Sequence, residues 1–461
     1  MSHRRRALIA VSCFAALLPL VPSSGDGVGA APRPRVPIGV VGQSATPSSP
    51  ASRISPATEL VSISQYGPLT AAFADRVDHV TRVLNLPSVR GRSFAIGLNR
   101  VMRGDTVIQQ ASGPSGLWQY PMSVTVLPID AMGRVMSFAV SSAVAAGSIV
   151  MGATSASLRG AQAGDVVDLV DVRGGIRSFV IGYIATDAEI GGAEFVMSPE
   201  QADLLGATVV TRILIFGQFS HDQIDAQLAA DGLVDGEGVR INRSWDLRSP
   251  DSTLGTARTK QLLGEFDYRV NSDVSLSLDA DWVSTNIIHV NYQSIGVHAS
   301  CHQAIINDIQ AALTEVAAAG LSFAIDLANT NTYGGCWNPR YARVSGTTGA
   351  VSRHAWGMAI DMNTVANAQG RVPHMDCRVV RIFRKHNFAW GGNFLVPDGM
   401  HFEWVGEPRN TIQYPSRYCP NVASGGIESA SRPGTSTSGV ELTMRAVMFA
   451  QDGWALDADH P

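Results

Sequence analysis

Charge is scarce in this chain: Asp, Glu, Lys and Arg make up only 16% of 461 residues and leave a formal net charge of −4, with an isoelectric point near 6.3. There is no surplus of basic side chains to neutralise phosphates or grip an anionic bilayer, so nucleic acid is not an expected partner. Cysteine is scarcer still, at five residues, and no Cys-x-x-Cys pair occurs. That argues against the common structural zinc frameworks, whose ligands come in such pairs. The helical His-Glu-x-x-His pattern is missing as well. Beyond the N-terminal segment, no apolar run reaches the roughly twenty residues that span a bilayer.

Apolar residues account for 45% of the chain, with 45 glycines and 23 prolines. This suits globular domains joined by loose segments, and the length predicts two of them. Residues 1–31 carry Arg4, Arg5 and Arg6, then about fifteen apolar residues from Ala7 to Val21, then small residues ending near Ala30 and Ala31. This is the pattern of an export signal, so the expected location is secreted or extracytoplasmic, in the cell envelope. Membrane association follows only if the segment is retained as an anchor. Residues 32–60 are rich in proline and serine and read as a tether, and residues 421–461 as a low-complexity tail.

Removing Cys13 with the signal leaves Cys301, Cys336, Cys377 and Cys419. Export makes two disulfides the first reading. Three pairings satisfy the count, and sequence order does not choose among them. The nested one, Cys301 with Cys419 and Cys336 with Cys377, is the working expectation.

Residues 61–265 alternate short apolar runs with glycines. "MSVTVLPIDAMGRVMSFAV" reads as strand, and "GDVVDLVDVRGGIRSFVIGYI" as a hairpin turning at Arg173-Gly174-Gly175. Helices are expected after Ser198 and Ser220, each a candidate N-cap. An α+β domain follows. About sixty residues here, "AQAGDVVDLVDVRGGIRSFVIGYIATD" with "FVMSPEQADLLG", weakly resemble the extracytoplasmic core domain of macrolide-exporter-type ABC permeases. The segment carries no chemical signature, so the domain is assigned no chemistry and its function stays open, with an envelope protein as a candidate partner through it.

The second domain, 275–420, opens with a helix in which Ala304, Ile305, Ile309, Ala312, Leu313 and Val316 recur at helical spacing. Its chemistry lies in two stretches. In "SRHAWGMAIDMN", strand alternation sets Met358, Ile360 and Met362 on one face and Ala359 with Asp361 on the other, with His354 arriving from the preceding loop and Gly357 allowing the turn. In "PDGMHFEW", the same alternation sends Phe402 and Trp404 inward and His401 with Glu403 to the opposite face. His354, Asp361 and His401 are therefore the expected ligands of a Zn2+ ion. Two imidazoles and a carboxylate leave a fourth position open for chemistry. Asp398, three residues before His401, is placed to act as general base. Glu403 would either support the metal ligands or face solvent.

His354-x6-Asp361 followed by Asp398-x2-His401, with "GGCWNPR" upstream, resembles the zinc D-alanyl-D-alanine carboxypeptidase family over roughly residues 285–410. Relatives within that family include vancomycin-resistance dipeptidases, L-alanyl-D-glutamate endopeptidases and the hedgehog signalling domain. The resemblance implies an α+β fold with a central antiparallel sheet and flanking helices, preceded here by a separate α+β domain. It implies that His354, Asp361 and His401 bind zinc, that Asp398 is the base, and that the substrates are peptidoglycan stem peptides. The aspartate at 398 fits the endopeptidase branch, because the dipeptidases carry glutamate there. By the same resemblance Arg340 polarises the scissile carbonyl or holds a substrate carboxylate, Ser352 orients the site, and Trp390 of "WGGNF" lines the cleft. Asn393 departs from the family, which has an acid at that place. The alternative reading is a zinc-retaining, non-catalytic cell-wall-binding or signalling module.

Overall fold

The computed structural model describes residues 59–236, 238–292, 297–326, 333–342, 349–412 and 414–421. The stretches expected to be an export signal, a tether and a tail lie outside the described residues, except that residues 59 and 60 of the expected tether open the first strand and Asn421 is described. The protein is mixed α+β.

Residues 59–243 contain two interlocked sheets. Strands Glu59–Gln65, Ser88–Arg103, Arg212–Gly217 and Val239–Arg243 alternate with helices Ala71–Leu84 and His221–Ala230. The first, third and fourth of these strands and the start of the second pair antiparallel, with Glu59–Gln65 between Val239–Arg243 and Arg212–Gly217. This is a split β-α-β arrangement. Val61, Ile63, Phe73, Val77, Ile213, Ile224 and Leu228 fill the layer between its helices and sheet.

Only Ser88–Gly91 pairs with Arg212–Gly217. The rest of that long strand runs on into a closed ring, through Val166–Val170, Ile176–Ala185, Ile149–Gly152, Phe195–Met197 and Trp118–Val126 and back to itself. Closure leaves the ring without a free edge. The predicted hairpin is present, with Gly174 at φ +79° and the Asp171 carboxylate accepting from the backbone N–H groups of Arg173 and Gly175. The capped helix after Ser198 is also present, with a full capping box to Gln201. Ser220 stands at the N-cap of its helix but makes no side-chain cap bond.

The reading of "MSVTVLPIDAMGRVMSFAV" as strand holds only to Val126. Helices Ile129–Val135 and Phe138–Ala145 follow. Pro128 starts the first, and Ser137 caps the second by accepting from Val140 N at 3.2 Å. Ala131, Met132 and Val135 are buried at helical spacing, a signal that the adjacent strand pattern obscured.

The C-terminal core is built around helix Ile306–Ala318, which buries Ile309, Ala312, Leu313 and Val316. Against it stand helix Cys377–Lys385, N-capped by Asp376, and a four-stranded antiparallel sheet in the order Tyr333–Gly335, Ala359–Met362, His401–Trp404, Phe388–Trp390. Leu254, Phe266 and Trp282 from the connecting segment join the same core. Among the described residues no helix is long and apolar enough to cross a membrane.

The nested disulfide expectation is corrected. Cys301 bonds Cys336 and Cys377 bonds Cys419, each pair with Cα atoms 5.0 Å apart. Strand Val297–His302 ends beside the loop carrying Cys336, where Trp337 N donates to Ser300 O at 2.9 Å, so each of these cysteines meets the other first. Helix Cys377–Lys385 presents Cys377 to the C-terminal segment instead.

Candidate metal centre

In the central strand pair, Asp361 stands directly opposite His401, Ile360 opposite Phe402, and Ala359 opposite Glu403. The two-residue period of the strands therefore puts Asp361 and His401 on one face as neighbours. His354 comes from a single 3₁₀ turn, Arg353–Trp356, closed by Gly357 at φ +64°. A Cβ at Gly357 would also come within 2.9 Å of His302 N, so both backbone conformation and space require glycine there. Ligand atoms of His354, Asp361 and His401 all lie within 4.8 Å of one another.

The two histidines turn opposite ring nitrogens towards Asp361. His354 Nδ1 lies 2.9 Å from Cys336 O. A carbonyl oxygen only accepts, so Nδ1 carries the proton and the neutral ring keeps a lone pair at Nε2. That Nε2 is buried and faces Asp361 Oδ2 at 3.2 Å. A cation, whether a proton or a metal ion, is favoured between the two. His401 presents Nδ1 to Asp361 Oδ1 at 3.1 Å, while its Nε2 faces Glu403 Oε2 at 3.5 Å. The donor set of two imidazole nitrogens and one carboxylate suits zinc.

Electrostatics agree with this arrangement. Burial alone would raise Asp361, but His354 and His401 hold its carboxyl well below the usual carboxylate range. Burial alone would lower His401, but its hydrogen bonds to Asp361 and Glu403 push it up to about 10. These shifts describe the protein without a metal, where a proton substitutes for the cation.

Asp398 is brought beside this cluster by a tight turn. His401 N donates to Asp398 O at 3.1 Å, and Asp398 N donates to Gly391 O at 2.9 Å. A Cβ at Gly391 would lie 2.6 Å from Asp398 O and 3.1 Å from His401 Cβ, so the glycine makes room for both. Asp398 Oδ1 is buried and makes no hydrogen bond. Oδ2 accepts from Gln369 Nε2 at 3.2 Å. Desolvation pushes the Asp398 carboxyl up to about 6; Asp361 adds to the rise, and His401, His354 and Arg340 oppose it.

Arg340 is half-buried and near enough to act electrostatically on Asp398. Its guanidinium donates to Tyr341 O and Ala342 O at 3.3 and 3.4 Å, and its carbonyl accepts from Ser352 N at 3.0 Å. Ser352 is buried, and its hydroxyl accepts from His354 N at 3.3 Å, so it holds the turn that carries His354 from within the protein. Trp390 is fully buried and donates from Nε1 to Gly399 O at 2.9 Å. It braces the Asp398 turn from behind and exposes no face to a cleft.

Sequence reading missed Gln369, which no motif marks, and left Glu403 undecided. Glu403 is wholly buried. The departure at Asn393 also has a physical reason. Its amide donates to Asp251 Oδ2 at 2.8 Å and to Tyr418 O at 2.9 Å, where an acid would set one carboxylate against another.

The fold and site together define a His-Asp-His cluster on an antiparallel sheet whose donor atoms could hold a metal ion. Residues 345–404 match the family model described as D-alanyl-D-alanine carboxypeptidase, the same family that the motifs resemble. That match supports a peptidase. No curated protein matches the chain.

Proposed function

We propose that the protein is an exported zinc peptidase that hydrolyses an amide bond in peptidoglycan stem peptides. The observation that carries this reading is the convergence of His354 Nε2, Asp361 and His401 Nδ1 on one point, with a bare Asp398 Oδ1 on the adjoining turn. His354, Asp361 and His401 would hold the zinc, which when bound supplies a Lewis acid for the scissile carbonyl and for water. Asp398 takes a proton from the attacking water as the new C–O bond forms. It returns that proton to the amine nitrogen as the C–N bond breaks, so one carboxyl serves as base and then as acid. Arg340 supplies positive charge to the carbonyl oxygen or to a substrate carboxylate. Gln369 holds Asp398 Oδ2, leaving Oδ1 for the proton.

The competing reading is a non-catalytic module that binds cell wall through a retained metal. A base placed beside the ligands, with one oxygen bare, favours turnover. Within the proposal, residues 1–31 direct export and the N-terminal domain docks an envelope partner. The test is incubation of the zinc-loaded full chain with purified wall material, followed by mass spectrometry of the muropeptides. New fragments that vanish on chelation and return with zinc are expected. Unchanged muropeptides from a preparation that still binds wall would establish the non-catalytic reading instead.

A further inference from the structure

Beside the ligands, on the covered part of the same sheet face, lies a buried line of charge that the proposed chemistry does not use. Glu403, wholly buried, faces His401 Nε2 at 3.5 Å through Oε2. Its Oε1 lies 3.3 Å from Arg353 Nε. Arg353 is itself 4% exposed, and its Nη2 donates to Leu254 O, in the segment just before helix Thr256–Leu263. That helix sends Lys260 to Glu194 of the closed ring at 2.8 Å and to Glu265 at 2.9 Å, and Glu194 also acts electrostatically on Arg353. The line therefore runs from the ring domain to a metal ligand without reaching solvent. A small cavity lined by Phe94, Met122 and Thr256 on one side and by Val351, Arg353 and Trp356 on the other marks the same seam.

We propose that Glu403 is the positioning residue that keeps His401 with Nδ1 turned to the metal, and that Arg353, anchored on Leu254 O, keeps Glu403 in place. The inference rests on the zinc reading above. With Glu403 accepting at Nε2, the imidazole proton stays there, and Nδ1 presents its lone pair beside Asp361. The same carboxylate makes the imidazole a stronger donor to a cation. A carboxylate this deep needs a counter-charge, which Arg353 supplies. Because the anchor of Arg353 comes from outside the central sheet, the segment around Leu254 is part of what builds the centre.

The test is the zinc dissociation constant of the full chain, measured by competition with a chromogenic chelator on folded protein. Glu403→Gln keeps an acceptor oxygen and loses the charge, so roughly tenfold weaker binding is expected. The double variant Arg353→Met with Glu403→Leu removes both charges and the acceptor, and avoids leaving an unpaired buried ion should the single variant not fold. It is expected to bind zinc about a hundredfold more weakly. Zinc affinity equal to wild type in the folded variants, with only the melting temperature lowered, would overturn the proposal and leave the ligand set standing. A wild-type protein that binds no zinc would overturn the metal reading and this proposal with it.

Discussion

The carbonyl oxygen of Cys336 stands 2.9 Å from Nδ1 of His354 and fixes which nitrogen of that ring is free to bind a metal. Cys336 is in turn bonded to Cys301, at the end of strand Val297–His302. A disulfide thus anchors the peptide that sets the tautomer of His354, a proposed metal ligand. Breaking it with the pair Cys301→Ser and Cys336→Ser should weaken zinc binding by up to about tenfold, because the carbonyl remains but is held less firmly. The matching pair at Cys377 and Cys419 should leave zinc affinity unchanged. Chelator competition on the two double variants, with circular dichroism as a check on folding, makes the comparison.

The metal-free protein should take up zinc with release of protons. His401 is raised to about 10 there, so at neutral pH its ring is protonated and must lose a proton to become a ligand. Apparent affinity should therefore climb as pH rises from about 7 towards 10. Stability should move the other way in the metal-free state. A histidine raised above its ordinary value of 6.5 contributes stability that is fully present below that value and is lost as pH rises through about 10. Titration calorimetry in two buffers of different ionisation enthalpy counts the protons released, and denaturation midpoints of chelated protein at pH 6, 8 and 10 check the second trend.

Gly391 is expected to tolerate no side chain. The Cβ of alanine would sit 2.6 Å from the backbone oxygen of Asp398, which cannot yield without shifting the turn that carries the base. Gly391→Ala should lower peptide hydrolysis by roughly a hundredfold through misplacement of Asp398, and should weaken zinc binding less, because the same Cβ stands 3.1 Å from the Cβ of His401 but leaves His354 and Asp361 untouched. Metal content and rate measured together distinguish this from unfolding.

Much of this centre was legible in the sequence because strands have a strict period. Alternation in "GMAIDMN" and "MHFEW" places Asp361 and His401 on a common face, and antiparallel pairing makes them direct neighbours. The fate of Glu403 was not legible from the same rule. Alternation gave its face but not that the face is covered, which depends on Arg353 and Leu254, about 50 and 150 residues away in sequence. The disulfide pairing was hidden for a similar reason, since four cysteines fix a count and only the fold decides which sulfurs meet. Helix Ile129–Val135 was masked by the strand pattern just before it. Trp390 shows the limit of motif transfer, because its place in "WGGNF" could not say whether the ring faces substrate or braces a turn.

The central claim is that Asp398 moves the proton while His354, Asp361 and His401 hold the metal, and Asp398→Asn tests it most directly. The amide keeps the shape of the side chain and can still meet Gln369, but it cannot accept a proton from water. Zinc content and hydrolysis of stem peptides should be measured on one preparation of the full chain. Full zinc occupancy with turnover reduced roughly a hundred- to ten-thousandfold is the predicted result. An active Asn variant would exclude Asp398 as the base, and a metal-free one would make it a ligand.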